Sequence, residues 1–215
     1  MSEAGTPPKD RHGPDWRELT AVILLSLTAI LTAWSGFQSS KWGGAMSISF
    51  SQASSARIEA ARLEGAANRK ASIQVSLFTQ WLQAYQSEDE TLTTFLQDRF
   101  PEPLASTFPL WLEERPLLNP DAPKTPFEMP AYVIPESVAA AEADDRADAK
   151  FAEALVNNQR SDNYTVLTVA FATVLFFGAL AGRMRSDRAQ WTFLILGLVG
   201  FTAAAVLLVT FPKLV

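Results

Sequence analysis

From Asn157 to Gly182 the chain reads NNQRSDNYTVLTVAFATVLFFGALAG, a polar run that changes at Tyr164 into nineteen residues without a charge. At the α-helical rise nineteen residues cover roughly 28 Å, the thickness of a bilayer's hydrocarbon core. The junction has no proline or glycine, so one helix is expected to pass from a polar setting into an apolar one. Two further apolar runs, Leu19–Phe37 and Trp191–Phe211, have the same character. Such runs define an all-α integral membrane protein with three transmembrane helices.

The mean hydropathy of only +0.06 conceals a split between segments. Residues 38–163 carry 11 Lys+Arg against 18 Asp+Glu, a net of −7, whereas residues 183–190 hold three arginines and one aspartate. A block this acidic offers no basic face for phosphates, which excludes nucleic acid as a partner there. The short loop RMRSDR and the tail bearing Lys9, Arg11 and Arg17 belong inside by the positive-inside rule. This orientation places 43–163 outside the cytoplasm, with 1–15 a disordered cytoplasmic tail and 16–42 the first span with its interface. Span two is then 164–182, the basic cytoplasmic loop 183–190, span three 191–211, and 212–215 end outside. The first run is too long for a signal-peptide core and is expected to stay as an anchor.

From Ala45 to Tyr85 no proline interrupts a sequence rich in Ala, Glu, Arg and Gln, which predicts a long helix. Steps of three and four through Met46, Phe50, Ala53, Arg57, Ala60, Glu64, Ala67, Ala71, Gln74, Phe78, Trp81 and Tyr85 form a coiled-coil-like seam. A second series, including Ile48, Leu63, Ile73 and Leu77, gives another face, so two partners are expected. The return helix starts at Pro135-Glu136, favourable for a helix N-terminus, with its own seam at Ala140, Ala143, Ala147, Phe151, Ala154 and Asn158. An extracytoplasmic antiparallel hairpin follows. The outgoing helix is the longer one, so a bend or a cover over its tip is required. Gly43-Gly44 is the expected kink, and Ser87 to Glu90 the expected break, followed by a short helix before Pro101. Nine of thirteen prolines lie between 101 and 135, among many apolar residues. They predict a proline-rich cap over 100–135, with a short helix near Pro109–Glu114.

In span one, Thr28, Thr32 and Ser35 form a small polar stripe leading to Ser39, with Gln38 a further candidate for the lining. It suits helix packing, or a pore whose vestibule adds Asn158 and Asp162. In the packing reading the belts Gln38–Lys41 and Asn157–Asn163 bond one another, with Asp162 pairing Lys41 or Arg160. Gly178, Gly182, Gly197, Gly200 and Ala204 are expected to let helices approach closely.

There is no cysteine, and the one histidine, His12, lies in the tail, so neither thiol chemistry, an imidazole metal site nor a Ser-His triad is available. The carboxylates at 88–90 and 142–148 read as a helix end and a solvated helix face. Phosphate-binding loops and hydrolase motifs are missing, and no cofactor is implied. Intramembrane acids or bases of a coupled transporter are missing too.

The segments AWSGFQSSKW, SLFTQWLQAY and NNQRSDNYTVLTVAFATVLFFG, with one span before and two after the polar block, resemble uncharacterised bacterial inner-membrane proteins of a domain-of-unknown-function family. The resemblance implies a bacterial membrane setting and carries no activity. The expected function is that of a non-enzymatic membrane protein, a homo-oligomer or an accessory subunit of a membrane complex. A homo-oligomeric ion channel is the alternative.

Overall fold

The computed structural model describes residues 16–116 and 118–214, and the expected disordered tail with His12 lies outside them. The described residues are all-helical: α1 Trp16–Gln86, α2 Glu90–Gln97, α3 Leu104–Glu113, a 3-10 turn Pro126–Glu128, α4 Pro135–Ala181 and α5 Asp187–Thr210. Three of these helices, α1, α4 and α5, are long and apolar enough to cross a membrane. Contacts divide the chain into two units, residues 1–48 with 153–215 and residues 49–152.

In the first unit the buried positions follow a helical period. Leu24, Thr28, Ser35, Gln38 and Trp42 of α1 turn inward with Tyr164, Leu167, Phe171 and Val174 of α4 and Leu194, Ala204 and Leu208 of α5. The outward residues are large and apolar, among them Ile30, Val166, Phe176, Val199 and Val209. A helix apolar on both its inner and its lipid side is what a membrane span requires. Glycine sets how near the helices come. A Cβ at Gly197 would lie 3.5 Å from Leu24 Cδ2 and 3.7 Å from Phe177 Cβ, so this residue sits where all three helices meet. At Gly178 the added carbon would be 2.7 Å from Leu25 Cδ2, and at Gly200 3.3 Å from Val174 Cγ2. Gly182, by contrast, is exposed past the end of α4 and faces only carbonyls of its own turn. The expected Gly178–Gly182 packing pair is therefore a single packing glycine.

α1 runs as one helix through Gly43-Gly44, the place of the expected kink. Gly43 faces Ser161, with an added Cβ 3.6 Å from Ser161 Oγ.

In the second unit the contacts of α1 with α4 descend along one helix as they ascend along the other. Phe50 meets Phe151 edge-on, Arg57 binds Asp144 and Asp148, Glu59 accepts from Arg146, and Lys70 pairs Glu136. Between these pairs lie Ala53, Ala60 and Ala67, facing the side of α4 that buries Ala140, Ala143 and Ala147. Methyl-sized side chains permit close backbone approach, and ion pairs at the margins fix register, although exposed pairs add little stability. The seam is narrower than the periodicity suggested. Arg57, Glu64 and Tyr85 are exposed and flank it, because long polar or amphipathic side chains reach water at the edge of a seam. On α4, Phe151 is 47% exposed and Asn158 is exposed, while Ala154 and Asn157 are buried in their place.

Farther along α1, Phe78, Trp81 and Ala84 pack with Leu96 of α2, Phe100, and Leu104, Phe108 and Trp111 of α3. The rings meet mostly edge to face, Trp81 and Phe108 at 4.7 Å and Phe78 and Trp111 at 5.4 Å between centroids. α1 ends in a Schellman motif, with Asp89 N–H donating to Ala84 O and Glu88 N–H to Tyr85 O. The left-handed residue this motif needs is Glu88, at φ 58°, where glycine is usual. Asp89 then caps α2 by accepting from Leu92 N–H at 2.9 Å. α3 begins five residues before the expected Pro109 and includes that proline. A ten-residue helix loses one internal bond to Pro109, while burial of Leu104, Thr107, Phe108 and Trp111 offsets the loss. Trp111 Nε1 donates to Pro123 O at 2.8 Å and Gln74 Nε2 to Glu102 O at 3.0 Å, tying the proline-rich stretch to the cluster.

Candidate functional site

Two regions hold the residues singled out by the sequence. The first is the polar belt of the first unit. Ser39 Oγ lies 2.9 Å from Thr165 Oγ1 and 3.2 Å from Ser161 Oγ, and Ser161 Oγ donates to Ser39 O at 2.9 Å. Gln38 uses both ends of its amide on one backbone residue: Nε2 donates to Leu214 O at 3.1 Å, and Oε1 accepts from Leu214 N–H at 3.0 Å. Tyr164 OH donates to Pro212 O at 3.0 Å. These three attachments join α1, α4 and the segment after α5, so the two belts do bond one another. The expected ion pair of Asp162 is replaced by other contacts. Asp162 accepts from Asn158 Nδ2 at 3.2 Å, one turn away on its own helix, and the Arg160 guanidinium lies 4.5 Å over the Trp42 ring.

The stripe below the belt is covered. Thr28, Ser35 and Gln38 are wholly buried among the chain's own helices. Thr28 Oγ1 donates to Leu24 O at 2.6 Å, and the half-buried Thr32 donates to Thr28 O at 2.7 Å. A hydroxyl bonded back to its own helix carries no partner across a lumen. Side chains enclosed within one protomer do not line a passage at its surface. Asn158 and Asp162, the other proposed vestibule residues, are exposed. The stripe and these two residues therefore do not form one continuous polar path.

The second region is the surface of the helical unit 49–152. Alongside the seam runs a groove of about 490 Å³, floored by Ala60, Ala67 and Ala140, with Arg57, Glu64 and Asp144 at its edges. Hydrogen bonds to Asp148 and Asp144 raise the Arg57 pKa further above its ordinary value, so this cation is permanent. The hydrogen bond from Lys70, helped by the Glu136 backbone N–H, holds the Glu136 carboxyl below the usual range despite some desolvation. Burial pushes the Tyr132 phenol up, and its hydroxyl has no partner among the described residues. Of the acids at 142–148, Asp144 and Asp148 are engaged with Arg57, and no group of three or more metal-ligating side chains is present among the described residues.

Fold and site together define the class: an all-helical protein with three helices able to span a membrane and a separate helical unit with a small-residue seam. Comparison with family models, curated proteins and solved structures gives no match, so the class is as far as identity extends.

The sequence did not point to the Gln38–Leu214 clamp or to the Tyr164–Pro212 bond. Both connect residues that lie far apart along the chain to backbone groups, which leave no side-chain signature.

Proposed function

We propose that this chain is a non-enzymatic multi-pass membrane protein of a bacterial inner membrane, with its N-terminus cytoplasmic and residues 43–163 outside. In this reading the paired parts of α1 and α4 form an antiparallel hairpin capped by the proline-rich segment, and the hairpin docks against a further helix. That helix belongs to a second copy or to another membrane subunit, so the chain acts as a self-associating or accessory component. One observation carries the proposal: the alanine-floored groove beside the seam, open and rimmed by charges of both signs. A floor of methyl groups accepts the ridge of a helix at close distance, as in coiled-coil packing, while Arg57, Glu64 and Asp144 select its register. The basic loop with Arg183, Arg185 and Arg188 supports the orientation.

Mass photometry of the full chain in mild detergent tests this reading. Ala61→Arg and Ala141→Arg fill the groove from exposed positions that leave the buried seam alanines in place. Either substitution is expected to reduce an assembled species to the single-chain mass. A wild-type chain that is already monomeric and carries no second subunit would overturn the proposal. Because the native chain lacks cysteine, single-cysteine variants at Ser51 and Ser186 report orientation directly. An impermeant maleimide applied to intact cells should label the first and spare the second.

A further inference from the structure

A second groove, of about 400 Å³, opens beside the aromatic cluster of residues 49–152 and is lined chiefly by Trp81, Tyr85, Trp111, Leu118, Gln97 and Arg115. We infer that it binds an apolar carboxylate, an acyl chain of medium length whose body lies on the aromatic wall and whose anionic end meets Arg115. Three observations point there. The lining is mainly hydrocarbon and aromatic ring, and both volume and lining match small-molecule sites, commonly about 300–1,000 Å³ with few polar groups. In a unit with 16 acidic and 9 basic residues, the one charge lining this groove is positive, and Arg115 makes no side-chain ion pair or hydrogen bond among the described residues. Trp81, 4% exposed, also has a ring N–H without a partner among the described residues, a buried donor left unmatched beside the groove.

The backbone adds to this. Arg115 stands at φ 52°, just past the end of α3, where the α3 terminus calls for a left-handed residue. Its N–H donates to Leu112 O, and its carbonyl accepts from Leu118 and Asn119. Glycine would adopt this conformation at lower cost, so an arginine here holds a cation against the groove at the expense of local strain. A peptide occupant fits less well. Each of its residues would bring a backbone donor and acceptor, and the wall offers few polar groups to meet them, whereas an acyl chain brings none.

The inference concerns unit 49–152 alone and holds whether or not the protein self-associates. The test uses the full chain in lipid nanodiscs, a dodecanoate bearing a diazirine on its chain, and mass-spectrometric mapping of the photolabel. Label is expected within residues 81–118. It should be displaced by dodecanoate and not by dodecanol, which shares the chain and the bilayer partitioning but lacks the charge. Arg115→Gly should lower labelling about tenfold or more, the loss of a charge-assisted contact, while helical content and near-ultraviolet dichroism stay unchanged. Arg115→Gln, which keeps the length of the side chain, should do the same and guards against a folding defect in the glycine variant. Label confined to the spans, equal displacement by dodecanol, or labelling unaffected by both substitutions would overturn the inference. Displacement by a short apolar peptide with a free C-terminus, and not by dodecanoate, would overturn it in favour of a protein ligand.

Discussion

Phe108→Ala should melt one part of this molecule and leave the rest folded. Phe108 is 1% exposed, and its ring centroid lies 4.7 Å from Trp81, 5.1 Å from Phe100, 5.9 Å from Trp111 and 6.4 Å from Phe78. Truncating a buried phenylalanine costs about 3–5 kcal/mol, through lost transfer energy and the cavity left behind. The upper part of that range applies here, because edge-to-face contacts add about 0.5–1.5 kcal/mol per aromatic pair, and Trp81 and Trp111, themselves locked by neighbours, cannot collapse into the space. A loss of about 4 kcal/mol raises local opening roughly a thousandfold. Hydrogen exchange by mass spectrometry reads it directly: amides of α2 and α3 should exchange far faster in Phe108→Ala, while those of α1 residues 20–42 keep their wild-type rates. Phe108→Leu retains most of the volume and loses the ring edges, so it should cost no more than about half as much. Unchanged exchange in α2 and α3 would refute the idea that this ring holds them, and simultaneous acceleration in the spans would refute the separate stability of the two units.

Other perturbations test the remaining links. Glu88→Gly should raise the midpoint of thermal unfolding by relieving a left-handed residue, a gain of up to about 1 kcal/mol after glycine's own entropy is subtracted. The Glu136 carboxyl titrates below its unfolded value, so its contribution is present above that value, about pH 4.3, and is lost as the pH falls through the lower folded value. Stability measured by dichroism should therefore drop in that acidic window, and Glu136→Gln should flatten the drop. Among the span glycines, Gly182→Ala should be neutral and Gly197→Ala nearly so, since its nearest neighbour stands 3.5 Å away. Gly197→Leu should cost about 3 kcal/mol or more by overpacking, seen as an earlier transition on titration with denaturing detergent. Gln38→Leu leaves the Leu214 N–H and C=O without partners, and should lower the same transition by about 1–3 kcal/mol.

Where the chain's own period decided the structure, the sequence could be read. The apolar runs, the unbroken helix from Ala45 and the alanine positions of both seams follow from spacing alone, because a helix repeats its inward side every three to four residues whatever it meets. Helix ends were harder to read. Glu88 and Arg115 take left-handed conformations without the glycine that usually marks them, and Pro109 sits inside a helix, because the buried aromatic cluster outweighs local preference. The step of the α4 seam from Ala147 to Ala154, missing Phe151, is of the same kind: the ring lies against Phe50 at the edge, where there is room for it.

The polar stripe of span one shows where periodicity stops deciding. Thr28, Thr32, Ser35 and Gln38 have the same spacing whether they face water in a lumen or another helix, and only the location of α4 and α5 separates the two. Once those helices cover them, each polar group needs a partner from within. Thr28 and Thr32 find it one turn back in the carbonyls of Leu24 and Thr28, Gln38 finds it at Leu214, 176 residues away, and the Ser35 hydroxyl has none among the described residues. A buried amide without partners is costly, so Gln38 stays buried only while the segment after α5 lies against it. That dependence makes the residues after Thr210 part of the bundle's packing. It follows that opening a conduction path along this stripe would first have to break the Gln38 clamp and the Tyr164 bond to Pro212. A channel reading of this protein is thus also a claim about that short segment, and tethering it to α1 by an engineered disulfide between cysteines replacing Gln38 and Leu214 should abolish any current it carries, with the current returning when the disulfide is reduced.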